Sequence, residues 1–141
     1  MEQLILSGCL VINDKKEILL LFKKNHQHYE TPGGKVENCK DSKNPTLKEL
    51  KEEARRETFE ELGEDIKISE LEYFGNISFT IPDGRLAIAN KFTTTILEGT
   101  PKNNEPENFD HIKWIPLSEI EKYPISPDLK KLILKLKEIL L

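Results

Sequence analysis

The alternation of apolar and polar residues predicts short β-strands over much of the chain. Five runs have the length and the apolar content of strands: residues 4–12, 17–22, 71–79, 86–97 and 112–115. Asn13-Asp14-Lys15-Lys16 and Pro82-Asp83-Gly84 have turn compositions, so each is expected to join the two strands beside it.

Two segments have the periodicity of amphipathic helices. The first spans residues 46–62, because Thr46 and Glu49 fit a capping box and Gly63 is a suitable stop. Its predicted buried stripe is Leu47, Leu50, Ala54, Thr58 and Leu62. The second helix follows Ser126-Pro127. Its apolar face is Leu129, Leu132, Ile133, Leu136 and Leu140.

The order of these elements predicts an α/β fold. Strands with interspersed helices favour a mixed β-sheet packed between helices, an α/β/α sandwich. Residues 116–122 are expected to add a helical turn or two, and residues 38–45 to form a loop. We expect one domain over residues 1–141, since the length suits a single core and no linker or repeat interrupts it.

The charge is unevenly distributed. The formal net charge is −4, and residues 49–65 alone contribute −5. The remainder has no basic stripe, so duplex nucleic acid is not an expected partner. No stretch has the length of a membrane span, and the two cysteines form no disulfide framework, so we expect a cytoplasmic protein without a membrane partner.

The first helix concentrates carboxylates on one face. Glu49, Glu53, Glu57 and Glu61 are spaced by four residues, and Glu60 lies beside Glu57. Such a row is usually a solvated face with helical ion pairs. The preceding Pro32-Gly33-Gly34, predicted as a tight turn where backbone can approach a ligand, favours a site instead. Clustered carboxylates suit Mg²⁺, with Mn²⁺ as a possible substitute.

Several motifs together resemble the Nudix superfamily. Gly34 followed by Arg56-Glu57-Thr58-Phe59-Glu60-Glu61-Leu62-Gly63 is similar to the Nudix box, G-x5-E-x7-R-E-U-x-E-E-x-G-U, where U is a bulky aliphatic residue. Pro82-Asp83 and Leu97-Glu98-Gly99 with Glu105 resemble MutT-like nucleoside triphosphate pyrophosphohydrolases, and the segment Trp114 to Ile120 resembles one common in Nudix proteins.

The box departs from the family pattern at its first glutamate. Lys40 stands at that position counted from Gly34, and Lys48 stands there counted back from Arg56. The two differ because eight extra residues separate Gly34 from Arg56. Either Glu49 or Glu53 stands in for the missing glutamate, or no residue does.

The resemblance implies roles for individual residues. Glu57, Glu60 and Glu61 would bind Mg²⁺ together with a backbone carbonyl at Gly33 or Gly34. Arg56 would orient Glu57 or Glu60, and Glu105 would be a further metal ligand or the general base. The predicted catalytic residues are therefore Arg56, Glu57, Glu60 and Glu105. The predicted metal ligands are Gly34, Glu57, Glu60, Glu61 and Glu105.

Substrate contacts are expected around the glycine pair. The predicted residues are Lys23, Lys24, Gly33, Gly34 and Lys35. His26 and His28 could also contact phosphates, although a basic loop is as often merely solvated. Tyr29, Phe74 and Phe79 could stack on a base, although aromatic residues in strands usually belong to the core.

The implied function is hydrolysis of a nucleoside diphosphate linked to another group. A nucleoside triphosphate, cleaved to the monophosphate and pyrophosphate, is the first expectation. ADP-ribose or a dinucleoside polyphosphate is the alternative substrate, and a nucleotide sensor or binding module with little turnover is the alternative of another class. Residues 123–128 contain no Asn of the kind used by 8-oxoguanine-selective relatives. The sequence allows either a monomer or a homodimer.

Overall fold

A computed structural model describes residues 3–37, 39–41 and 43–140, without the side chain of Leu140. Within these ranges the backbone forms nine strands, two α-helices and one 3₁₀ helix. The strands are β1 Leu4–Val11, β2 Glu17–Lys23, β3 His28–Glu30, β4 Gly33–Lys35, β5 Lys67–Ile68, β6 Glu72–Thr80, β7 Leu86–Thr94, β8 Ile96–Glu98 and β9 Phe109–Pro116. The helices are α1 Leu47–Leu62, the 3₁₀ helix Leu117–Lys122 and α2 Pro127–Leu140.

The strands form two main sheets and a short ribbon. The larger sheet has the order β4-β1-β7-β6, with β1 parallel to β7 and the other pairs antiparallel. The second sheet has the order β3-β2-β9 and is antiparallel. β5 pairs with β8. The mixed β-sheet that the sequence predicted is therefore confirmed.

Alternating side chains of β1 and β2 divide the core between the two helices. Cys9 and Val11 belong to the cluster that contains Leu50 and Ala54 of α1, whereas Leu10 belongs to the cluster that contains α2. The buried side chains of β2 alternate between the same two clusters. This period of two follows from the strand pleat and confirms the sandwich of helix, sheet and helix. Of the described helices, neither α1 nor α2 is long and apolar enough to cross a bilayer.

The predicted ends of α1 are confirmed. Thr46 Oγ1 accepts from the Glu49 N–H at 3.1 Å, and the Thr46 N–H donates to Glu49 Oε1 at 2.9 Å, which completes the capping box. Gly63 has φ 98° and donates to the Phe59 carbonyl at 2.9 Å. Leu47, however, is 55% exposed, so the buried stripe begins one turn later, at Leu50.

The second helix also agrees with its predicted apolar face. Leu129, Leu132, Ile133 and Leu136 are buried, while the side chain of Leu140 lies outside the described residues. The Lys130 N–H donates to the Ser126 carbonyl at 3.0 Å, so Ser126 occupies the position before the helix. The helical turn predicted over residues 116–122 is the 3₁₀ helix Leu117–Lys122.

The prediction of a tight turn at Pro32-Gly33-Gly34 is wrong. Gly33 and Gly34 are extended in β4, where they pair with Gly8 and Ser7 of β1. A Cβ on Gly33 would lie 2.9 Å from Gly8 Cα, so glycine is required here for close strand packing. The close backbone approach that the structure shows at this pair is to β1, whose residues are distant in sequence.

Two other boundaries differ from the prediction. The strand predicted over residues 86–97 is broken after Thr94 into β7 and β8, and β8 pairs with β5 instead of continuing the larger sheet. The strand predicted over residues 112–115 extends from Phe109 to Pro116 because it pairs with β2 along its length. Of the predicted 38–45 loop, Asn38 and Ser42 lie outside the described residues.

Candidate active site

The glycines of β4 contact the carboxylates of α1 directly. The Gly33 N–H donates to Glu61 Oε2 at 3.0 Å, and the Glu61 side chain is buried. A Cβ on Gly34 would lie only 2.5 Å from Glu57 Oε1. The structure therefore brings together the two halves of the motif that the sequence separates by the extra residues.

Arg56 connects three of the glutamates. Its guanidinium donates through Nη1 to Glu60 and through Nη2 to Glu53 and Glu57, the last at 3.1 Å. A planar guanidinium that donates to several carboxylates fixes their relative orientation. Arg56 thus contacts both glutamates that it was expected to orient.

Glu53 and Glu49, the two possible substitutes for the missing glutamate, lie in different environments. Glu53 is buried, with 4% exposure, and contacts Arg56. Glu49 is used in the capping box and also accepts from the Lys40 N–H at 3.0 Å. Of the two, Glu53 belongs to the carboxylate cluster and Glu49 stabilises the helix start.

The loop that follows β8 is held on the C-terminal end of α1. The Lys102 N–H donates to the Leu62 carbonyl at 2.9 Å, and the Asn104 N–H donates to the Glu61 carbonyl at 3.0 Å. Asn104 Nδ2 donates to the Glu60 carbonyl at 2.9 Å. These bonds satisfy carbonyls that a helix end leaves unpaired, and they hold the loop that carries Glu105 on the end of α1. Asn104 was not predicted from the sequence, because its side-chain amide has no recognisable signal at this distance from the helix.

Burial and like charge raise the pKa values of two of the clustered glutamates. Burial raises the pKa of Glu57 to about 7, with further increases from a hydrogen bond to Glu53 and from the Glu60 charge, while Arg56 opposes the shift. Burial also raises the pKa of Glu61 well above its usual range, and the charges of Glu57, Glu105 and Glu30 add to this effect, although the Gly33 N–H opposes it. The positive charge near these carboxylates is therefore too small to offset their burial and mutual repulsion.

A cavity of about 360 Å³ opens beside the glycine strand. Its lining residues are Leu6, Ser7, His26, His28, Glu30, Thr31, Gly33, Gly34, Phe79, Thr80, Ile81, Pro82, Lys91, Ser126, Pro127 and Asp128. The volume lies in the range of small-molecule sites, about 300–1,000 Å³. Gly33 and Gly34 therefore contact both the cavity and the carboxylate cluster.

Residues 5–136 match a family model described as NUDIX domain. The chain belongs to the Nudix family. Membership of this family supports a hydrolase that acts on pyrophosphate bonds. No curated protein matches the chain.

Solved structures share this Nudix fold at low identity. The MutT NUDIX hydrolase from Burkholderia pseudomallei is 20% identical, with a TM-score of 0.78 over 94% of this chain and 97% of that chain. The MutT protein from Methanosarcina mazei is 21% identical, with a TM-score of 0.76 over 97% and 94%. The NUDIX domain of Shewanella oneidensis NrtR, solved with ADP ribose, is 18% identical, with a TM-score of 0.73 over 100% and 90%.

The wall of the Nudix cavity contains a buried ion pair. Lys91 Nζ donates to Thr31 Oγ1 at 2.6 Å and lies 3.0 Å from Asp128 Oδ2, and both charged side chains are mostly buried. Burial alone would raise the pKa of Asp128, but the Lys91 charge together with hydrogen bonds to the carboxylate outweighs burial and holds that pKa below its usual range. This pair was not predicted from the sequence. Its one available signal was Lys91 itself, a charged residue inside an otherwise uncharged strand.

The three lysines expected at the substrate lie outside the cavity lining. Lys23 Nζ is 5.1 Å from the Phe109 ring centroid, and Lys24 and Lys35 are exposed. None of the three is among the described residues that line the cavity. His26 and His28 line it, and of the three candidate stacking residues so does Phe79, whereas Tyr29 and Phe74 pack in the α2 core.

Proposed function

We propose that this Nudix protein is a Mg²⁺-dependent pyrophosphohydrolase, with Mn²⁺ as a possible substitute, that cleaves a nucleoside diphosphate linked to another group. A nucleoside triphosphate is the first proposed substrate, giving the monophosphate and pyrophosphate. One observation supports this most strongly: Glu57 and Glu61 contact the two glycines that line the cavity.

The donor set suits a hard divalent cation. Glu57, Glu60 and Glu61 offer carboxylate oxygens, and a carbonyl of Gly33 or Gly34 is a further candidate ligand. The raised pKa of Glu57 and of Glu61 reflects burial and repulsion that a cation would relieve. Such an ion, when bound, would neutralise charge on a diphosphate group and favour attack by water.

The protein groups provide positioning and proton acceptance. Arg56 holds Glu53, Glu57 and Glu60 in fixed relation, so the ligands are oriented before a nucleotide arrives. We propose that Glu105 accepts the proton of the attacking water, because its loop is fixed beside Glu61 by the Asn104 bonds. A role as a further metal ligand is the alternative for this residue.

The nucleoside would occupy the cavity. Phe79 offers an aromatic face, and the Lys91–Asp128 pair offers a cationic donor and an anionic acceptor at the wall. With the phosphates directed toward Gly33 and Gly34, the base would lie against these groups. The selectivity for the base is therefore proposed to depend on Asp128 and Lys91.

Two other functions have specific support. One structural neighbour, the NrtR domain, was solved with ADP ribose, and the cavity of this chain would accept the adenosine half of such a ligand, as it would one half of a dinucleoside polyphosphate. A binding module with little turnover would agree with the lysines at the first-glutamate position. The burial of Glu53 beside Arg56 favours an intact cluster and hence the hydrolase.

A product assay separates these possibilities. Nucleoside triphosphates, ADP-ribose and dinucleoside polyphosphates are each incubated with the protein and Mg²⁺, and pyrophosphate, monophosphates and sugar phosphate are quantified. We expect monophosphate and pyrophosphate from a triphosphate, and no product when a chelator replaces Mg²⁺. Turnover of ADP-ribose alone would replace the proposed substrate, and binding without any product would support the module.

A further inference from the structure

We propose that His26, His28 and Glu30 form a second metal site that takes a borderline transition-metal cation such as Zn²⁺. The three side chains line the cavity and belong to the β2–β3 hairpin. None of them comes from α1, whose carboxylates are the proposed Mg²⁺ ligands. The inference therefore stands apart from the proposed hydrolysis.

The hairpin geometry brings the three residues together. His28 and Glu30 are two positions apart on β3, so their side chains share one face, while Tyr29 between them is buried. Gln27 has φ 55°, and its N–H donates to the Lys23 carbonyl at 2.8 Å. This tight connection turns the chain so that His26 lies beside His28, with ring centroids 5.1 Å apart.

The distances are close to those of a coordinated ion. His26 Nδ1 lies 3.0 Å from Glu30 Oε2, and His28 Nε2 lies 2.7 Å from the same oxygen. One ligand atom from each residue lies within 4.8 Å of the other two. Tetrahedral zinc with bonds of about 2.0–2.1 Å places its ligand atoms roughly 3.4 Å apart, so the two hydrogen-bonded pairs would separate by roughly 0.4 and 0.7 Å to admit an ion.

The donor chemistry differs from that of the carboxylate cluster. Two imidazoles and one carboxylate are a common set for zinc sites that keep a fourth position open, whereas Mg²⁺ prefers oxygen ligands alone. The His26 side chain is 57% exposed and those of His28 and Glu30 are 20% and 27% exposed, so an ion can enter from solvent. An open fourth position would face the cavity, where water or a phosphate oxygen could occupy it.

The simpler interpretation is that Glu30 only accepts hydrogen bonds from two imidazoles. Zinc titration followed by imidazole ¹⁵N NMR, in saturating Mg²⁺, distinguishes the two, since the chain has three histidines and His111 lies outside the cluster. We expect about one equivalent of Zn²⁺ to shift the nitrogen signals of His26 and His28 and to leave those of His111 unchanged.

Substitutions in the cluster test the proposed zinc site through their effect on zinc affinity. His26→Ala and Glu30→Gln should each weaken zinc binding by at least about tenfold, whereas the control His111→Gln should bind as the wild type does. His26 is exposed, so its replacement should not affect folding, which circular dichroism checks. The proposal is overturned if equimolar Zn²⁺ moves neither His26 nor His28, if it moves all three histidines alike, or if His26→Ala retains full affinity.

Discussion

The backbone N–H of Gly33 donates to Oε2 of Glu61 at 3.0 Å, which joins the glycine strand to the carboxylate helix. The neighbouring Gly34 has space only for hydrogen beside Glu57. Both glycines therefore contact the carboxylate cluster, but the atoms that crowd each glycine differ. Gly33 is packed against the backbone of β1, whereas Gly34 faces a side chain.

Replacing each glycine by alanine should therefore have different effects. In Gly33→Ala the new Cβ would lie 2.9 Å from Gly8 Cα and from the Ser7 carbonyl oxygen, which cannot move independently of the sheet. We expect a large loss of thermal stability. In Gly34→Ala the Cβ would displace the Glu57 carboxylate, so kcat should fall with a smaller loss of stability. Melting curves and initial rates compare the two, and equal stability losses would contradict the assignment.

Stability should depend on pH in the direction set by Glu57 and Glu61. The folded pKa of Glu57 is about 7, raised from its ordinary 4.5, so the folded protein binds this proton more tightly than the unfolded chain. That contribution is fully present below about pH 4.5 and is lost as pH rises through about 7. The melting temperature in chelator should therefore fall over this window, with Glu61 adding in the same direction.

Mg²⁺ should reverse the fall in melting temperature at high pH, because it binds the ionised carboxylates of the folded protein. The gain in melting temperature on adding millimolar Mg²⁺ should thus be larger near pH 8 than near pH 5. Glu57→Gln is the control, since it removes the titrating group and should flatten the pH dependence. A metal effect that is greater at the lower pH would contradict this account.

Glu105→Ala tests the residue proposed to accept the proton from water. Its loss should lower kcat by about 10²–10⁴, the scale of acid–base catalysis, with little effect on stability because the residue lies on a loop. Glu107→Ala is the matched control, two residues away and exposed. A wild-type rate for Glu105→Ala, or an equal loss in both variants, would remove Glu105 from the mechanism.

Asp128→Asn tests whether the ion pair in the cavity wall determines the selectivity for the base. The amide keeps the shape but loses the charge paired with Lys91, so the ranking of triphosphates by kcat/KM should change, mainly through KM. Asp83→Asn is the control, because Asp83 pairs with Arg85 at an exposed turn. An unchanged ranking of bases in Asp128→Asn would show that this pair is structural.

Local signals account for what the sequence predicted well. The capping box of α1, its glycine stop and its row of glutamates involve residues within four positions of one another, so a linear pattern contains them. β3, β4 and β5 were missed because each has two or three residues. Such short strands are stabilised by pairing with partners distant in sequence.

The candidate site likewise contains some residues that local sequence patterns predict and others that only tertiary packing brings together. The ligands on α1 follow from the helical repeat, but the Lys91–Asp128 pair and the approach of Glu30 to Glu61 result from tertiary packing. The choice between Glu49 and Glu53 also required the structure, since both lie in the same helical row. Their hydrogen bonds, and not their spacing, place Glu53 in the cluster.

The most direct test of the carboxylate cluster compares Mg²⁺-dependent pyrophosphate release by the wild type, Glu60→Gln and Glu61→Gln. Each substitution removes a proposed ligand charge while preserving size, and a glutamine at residue 61 can still accept from the Gly33 N–H. We expect each variant to lose more than about tenfold in kcat while its circular dichroism spectrum stays that of the wild type and its melting temperature in chelator is not lowered. Wild-type turnover in both variants, or losses of activity that merely follow losses of stability, would contradict a catalytic metal site on α1.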